Sequence, residues 1–195
     1  MNRADVETAT AADSAAVAQT LTLAFAGDPM ARWSWAEPRT YLETFPRFVQ
    51  AFGGKAFANG TAHCIGDSGA ALWLAPGVHP DEQEMGALME QTIPPALAGD
   101  GGRLMEQMAA FHPREPHWYL PIIGIDPARQ GRGLGGVLLR HQLDVCDRDG
   151  ALAYLESSNP RNIALYQRHG FEPMGRIQAG DSPVMVPMLR KPRRR

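Results

Sequence analysis

Between positions 131 and 136 lie four glycines, Gly131, Gly133, Gly135 and Gly136, interleaved with Arg132 and Leu134 and preceded by Gln130. Glycines where a helix begins let backbone N–H groups close around an anion, with the helix dipole adding to the attraction. Pyrophosphate is the ligand class such a turn serves; Arg132 either adds a charge to it or stands in solvent. Glu156 closes an apolar run and can take a proton from a substrate, directly or through a water. His112, His117 and Asp28 are the other candidates for that proton. Tyr166 follows within a short helical stretch, and a phenol near its ordinary pKa of about 10 stays protonated at neutral pH and can donate. Asn159 either caps that helix or holds a ligand amide, with Asn162 beside it. Cys64 and Cys146 stand alone, without the Cys/His spacing of a zinc site, and no metal is expected.

Two pyrophosphate readings compete. Gly131, Gly133 and Gly136 formally match GxGxxG, and Glu156 lies where a dinucleotide fold places its ribose acid. However, five residues separate Ile125 from the first glycine, and the 39 residues after Glu156 are too few for further strand–helix–strand units. The other frame is Gln130-x-x-Gly133-x-Gly135 after an apolar strand and an Asp126-Pro127 turn, which resembles the coenzyme A loop of the GNAT superfamily of N-acetyltransferases. The run from Asn159 through Leu165-Tyr166 to Gly170-Phe171 is similar to that superfamily's N-x-x-A-x-x-L-Y-x-x-x-G-F segment, with Asn162 where alanine is commoner. His117-Trp118-Tyr119-Leu120 and Leu155-Glu156-Ser157-Ser158 are similar in order and spacing to members of the puromycin N-acetyltransferase type. Residues 37–115 match only loosely.

The resemblance implies an α/β (α+β) fold with a mixed central sheet of about six to seven strands, a splayed parallel pair, and flanking helices. It implies acetyl transfer from acetyl-CoA to the primary amine of a small molecule by direct attack in a ternary complex. The coenzyme's pantetheine arm is expected along Ile123, Gly124 and Ile125, where Gly124 leaves room for close approach. An N–H near Ile125 is the expected oxyanion donor. Gln130, Gly131, Arg132, Gly133, Leu134, Gly135 and Gly136 are expected around the phosphates, with Asn159 and Asn162 near the pantetheine amides. Tyr166 is expected beside the sulfur as acid, and Glu156 as base. Asp28, Trp33 and His117 are the expected substrate contacts; Trp33 and Trp35 either line an aromatic pocket or pack in the core. The alternatives are a non-catalytic acyl-CoA-binding sensor module and a protein N-acetyltransferase.

These residues need a scaffold. Val6 to Thr8 reads as a strand, and a helix starting at Thr10 or Asp13 runs to Phe25. Met30 to Glu37 shows no period, and Arg39 to Phe52 is a helix disturbed by Pro46. Thr61–Ile65 and Gly69–Ala75 form a hairpin, and Pro80–Leu97 and Arg103–Phe111 are helical. Trp118–Ile125 is a strand with an irregularity at Pro121, followed by a helix over Gly133–Asp149 and a strand over Ala151–Glu156. This strand–helix–strand unit predicts a parallel pair. A helix over Arg161–His169 and an antiparallel pair, Phe171–Gln178 with Pro183–Leu189, complete the chain.

Composition bounds the rest. A chain of 195 residues favours a single domain, and a net charge of −2 argues against a nucleic-acid partner. Its apolar runs are far shorter than a membrane span, so a cytoplasmic protein, monomer or homodimer, with no membrane partner is expected. The basic end, Arg190 to Arg195, is expected to be a frayed, solvated tail.

Overall fold

The computed structural model describes residues 5–193. β1 (Glu7–Thr8) leads into α1 (Ser14–Ala24), which buries Val17, Ala18 and Leu21. α2 (Pro29–Ser34) and α3 (Pro38–Gly53) each begin on a proline, whose missing N–H costs nothing at the first helical position. Asp28 and Glu37 accept the next free amides of these two helices. Then come α4 (Lys55–Ala58), β2 (Ala62–Cys64), β3 (Gly69–Leu74), α5 (Glu82–Thr92) and α6 (Ala98–Phe111). The remainder alternates: β4 (His117–Ile125), α7 (Leu134–Asp149), β5 (Leu152–Ser157), α8 (Pro160–Arg168), β6 (Glu172–Pro173) and β7 (Val186–Arg190).

The strands form one seven-stranded sheet in the order β1-β2-β3-β4-β5-β7-β6, and β4–β5 is its parallel pair. That pair holds only at His117–Leu152, Trp118–Ala153 and Tyr119–Tyr154. Beyond it the strands part: β4 continues against β3 as far as Ile125, and β5 against β7 as far as Ser157. The edge of β4 from Ile122 to Ile125 thus faces a wedge in place of a neighbouring strand, with backbone groups available to a ligand. Pro121 marks a slip in β4, where Leu72 faces Ile122 but Leu74 faces Tyr119, so Leu120 and Pro121 together oppose the single Trp73. The bulge falls at the residue with no N–H to give the ladder.

Helices cover both faces. α1 and α3 pack Leu21, Tyr41, Phe45 and Val49 against Leu72, Leu74, Tyr119, Ile122 and Tyr154. On the opposite face, α7 and α8 pack Leu138, Leu139 and Tyr166 against Trp73, Leu120, Leu155 and Phe171. A smaller cluster joins Leu104 of α6 to Ile177, Ala179 and Met185, with Met30, Trp33, Met108 and Phe111 against it.

Several boundaries differ from the sequence reading. Met30–Glu37 contains α2, because Asp28 and Pro29 supply a helix start that a search for periodicity does not register. α3 runs straight through Pro46. The helix expected over Pro80–Leu97 stops at Thr92, before Pro94 and Pro95, while α6 begins at Ala98 and accommodates three glycines. α6 is fastened from outside: Gln107 and Gln178 exchange side chain–backbone hydrogen bonds of 2.9 and 3.1 Å. The last antiparallel pair is shorter than expected, β6 holding two residues and Ile177 only an isolated bridge to Met185. The basic end is not a frayed tail from Arg190. That side chain is buried, donates from Nη2 to Asp147 Oδ2 at 2.7 Å and from Nε to the His169 carbonyl, while the Arg193 amide donates to Asp147 Oδ1. Arg194 and Arg195 lie outside the described residues. Among the described residues no helix is long and apolar enough to cross a membrane.

Candidate active site

The glycine turn sits between the wedge and α7. Gly131 and Gly133 have φ of +76° and +80°, a region that glycine enters without strain, and an added Cβ at either would project into open space. Gly133 is the N-cap of α7 and offers no side-chain oxygen, so the first amides of that helix are not capped by a side chain. Gln130 donates from Nε2 to the Ile125 carbonyl at 3.0 Å, and Asp126 accepts from the Ala128 amide at 2.7 Å. These bonds hold the turn at the end of β4. Gly131, Arg132 and Gly133 are exposed, Leu134 and Gly135 half-buried, and Gly136 packs beneath His169, which follows α8.

Gly124 lies under α1. A Cβ there would lie 2.6 Å from Ala24 Cβ and 3.1 Å from Leu21 Cδ2. The glycine makes room for α1, whose close packing it permits. Ile123 and Ile125 face the α7 side, half-buried, and flank it along the open edge.

Glu156 lies on the α3 face of β5, its side chain only 5% exposed. Tyr119 Oη donates to Glu156 Oε2 at 2.8 Å, because register and alternation bring β4 Tyr119 beside β5 Tyr154 on that face. Oε1 is buried without a hydrogen-bond partner among the described residues and lies 3.9 Å from His112 Nδ1. His112, at the end of α6, packs edge-on to Tyr119, Tyr154 and His117, with ring centroids 4.8–4.9 Å apart. Burial and the nearby Glu156 carboxylate push the Tyr119 and Tyr154 phenols well above their ordinary range, so both are neutral hydroxyls. Burial lowers the pKa of His117. The result is one free carboxylate oxygen in an enclosure of aromatic rings.

Tyr166 lies across the sheet, on the α8 side, 6% exposed and edge-on to Phe171. Burial first, then the charge of Asp28, raises its phenol above the ordinary value, so it too is protonated. Glu156 and Tyr166 therefore lie on opposite faces of the sheet.

The other expected residues divide. Asp28 is occupied: Oδ1 accepts from the amides of Met30 and Ala31, and Oδ2 from Ser158 Oγ at 2.7 Å. It ties α2 to the loop after β5. Asn159 caps α8, accepting from the Arg161 amide, and Asn162 is exposed. Trp35 belongs to the core, donating to Thr92 Oγ1, whereas Trp33 is half-buried against the cluster of Leu104, Ile177, Ala179 and Met185. His117 joins the Glu156 enclosure through His112. Tyr119 was missed as a site residue; only the register of β4 against β5, invisible in a linear pattern, brings it to the carboxylate.

Residues 71–171, just over half of the chain, match the acetyltransferase (GNAT) family. An uncharacterized N-acetyltransferase of Schizosaccharomyces pombe is 27% identical over 146 residues, 66% of this chain and 58% of the relative. The chain thus spans less than two thirds of that relative's length. The N-alpha-acetyltransferase RimI of Mycobacterium tuberculosis is 47% identical over 71 residues, 32% of this chain and 44% of RimI. Among solved structures, the Corynebacterium glutamicum protein described as histone acetyltransferase HPA2 and related acetyltransferase superimposes with a TM-score of 0.68 at 25% identity, covering 97% of each chain.

Proposed function

The chain belongs to the GNAT acetyltransferase family, and from that premise we propose that it transfers the acetyl group of acetyl-CoA to a primary amine of a small molecule within a ternary complex. The observation that carries this reading is the buried, unpartnered oxygen of Glu156 beside the wedge between β4 and β5. An acceptor amine arrives as an ammonium, and a carboxylate oxygen with no partner is suited to hold it and take its proton. The enclosure of Glu156 by His112, Tyr119 and Tyr154 favours a small acceptor over a protein tail.

Acetyl-CoA supplies an activated thioester, and the residues present fit it. Uncapped amides at the start of α7, with Gly131 and Gly133 leaving the approach open, suit its pyrophosphate. The free edge from Ile122 to Ile125 suits a peptide-like arm, and an amide near Ile125 is the candidate donor to the developing oxyanion. Glu156 removes one proton from the nitrogen. Tyr166 donates to the departing sulfur. Its raised pKa makes full proton loss costly, so its hydroxyl stabilises the sulfur's charge as a hydrogen-bond donor until the second nitrogen proton is released. The products are an amide, a thiol and one proton.

The test is thiol release from acetyl-CoA by the full chain, measured against phenethylamine, tryptamine, agmatine, spermidine, glucosamine and a peptide with a free N-terminus. The proposal predicts that at least one small amine is acetylated with a higher kcat/KM than the peptide. The reverse order would make it a protein N-acetyltransferase, and binding without turnover a sensor module.

A further inference from the structure

Resting on that reading of Glu156, we infer that His112 is a second base of the acceptor site, held by His117 in the one tautomer that leaves its Nδ1 free to receive a substrate N–H. His117 Nδ1 lies 2.8 Å from the Glu115 carbonyl, which can only accept, so the His117 proton resides on Nδ1. His117 Nε2 is then an acceptor, as the neutral ring requires. His112 Nε2 lies 3.0 Å from it, and two bare nitrogens do not approach that closely, so His112 carries its proton on Nε2. What remains on His112 is the Nδ1 lone pair, 3.9 Å from the unpartnered Oε1 of Glu156.

Two acceptors at that separation cannot hydrogen-bond each other. A single nitrogen about 2.8 Å from each can donate to both. An ammonium placed there has two of its N–H bonds fixed, which orients the nitrogen toward the wedge. When it gives up a proton, the N–H bond breaks as an O–H bond forms on Glu156. Once the amide has left, a water in the amine's place hydrogen-bonds both groups and carries that proton from the carboxyl to His112 Nδ1, giving an imidazolium whose side chain, 29% exposed, releases it to water. Burial of His117 disfavours its charged form. The titratable groups facing His112 are Glu156 and Tyr154 from β5 and Tyr119 and His117 from β4; His79 acts electrostatically on His117. His112 is then a catalytic residue, and His117 a positioning residue acting through it.

The experiment has two arms. The first uses the full chain without ligand, labelled with [15N]histidine, in two-bond 1H–15N spectra at a pH above the ordinary histidine pKa of about 6.5. His112 should show its proton on Nε2 and His117 on Nδ1, and His117→Phe should turn His112 into a mixture of tautomers, which loss of mere packing would not do. A His112 protonated on Nδ1 overturns the inference. The second arm uses the best acceptor of the amine panel. His112→Gln retains a donor toward His117 but removes the Nδ1 base, and kcat/KM should fall on the order of 10²-fold. Free imidazole should restore activity to His112→Ala, while KM for acetyl-CoA stays unchanged. A His112→Gln enzyme within twofold of wild type overturns the second base and leaves amine acetylation standing; a panel with no acceptor overturns the acetylation reading itself, while the tautomers are still decided by the spectra.

Discussion

Replacing Glu156 by glutamine keeps the side chain's shape and its bond from Tyr119 but removes the charge that draws a proton from the substrate. The expected outcome is a fall in kcat on the order of 10²-fold in steady-state thiol release; a variant within twofold of wild type would assign the proton to another acceptor. Tyr166→Phe keeps the ring against Phe171 and deletes the hydroxyl. It should lower kcat by roughly 10- to 10³-fold with little change in the affinity for acetyl-CoA, the pattern of an interaction made mainly in the transition state. Equal kcat in a rate-limiting chemical step would remove Tyr166 from the chemistry. Both residues are legible in a linear sequence, because each sits at a fixed offset from a turn or a strand end. Tyr119 is not, and although His112 stands among the candidates for the proton, nothing in the sequence places it beside Glu156. They reach Glu156 through sheet register and through the end of a helix whose glycines hide it.

At the scale of elements, two glycines nine residues apart, Gly124 and Gly133, have different surroundings. Gly133 is in the left-handed region with open space around its missing Cβ, so Gly133→Val adds backbone strain and a side chain in the approach to α7. It should weaken acetyl-CoA binding in calorimetric titration while the protein remains folded; unchanged affinity would place the phosphates elsewhere. Gly124→Ala should do the opposite, since its methyl would press on Ala24 of α1, and its effect should be read as a lowered unfolding temperature. The unit from β4 to α8 was readable because its strands, caps and glycine stops agree with one another locally. The unit from α2 to α6 was not, since its boundaries depend on prolines, on capping at Asp28 and on the docking of Gln107 against Gln178. The same docking places Phe111 over Gly175 and His112 beside Glu156, so the site depends on a helix that periodicity alone begins five residues late.

Across the whole molecule, His63, His117 and His169 all have lowered pKa values, with burial the first cause in each. The unfolded chain therefore binds more protons than the folded one as pH falls through the ordinary histidine value of about 6.5, and stability falls with it. Asp147 acts in the same direction at lower pH. Its carboxyl, held low by the buried Arg190, contributes stability above the ordinary carboxylate pKa and loses it as pH falls through the folded value. Urea midpoints at constant m should decline steadily from neutral to acid pH; a rise would contradict the neutral burial of these rings. The account's central claim is that the wedge between β4 and β5, closed by the glycine turn, is a coenzyme A site. Thermal unfolding tests it most directly. Acetyl-CoA at a hundredfold excess over its Kd should stabilise the chain by roughly 2.7 kcal/mol, which for a chain of this size raises Tm by roughly 5–10 °C, and NAD should leave Tm unchanged. A rise with NAD and none with acetyl-CoA would contradict the account.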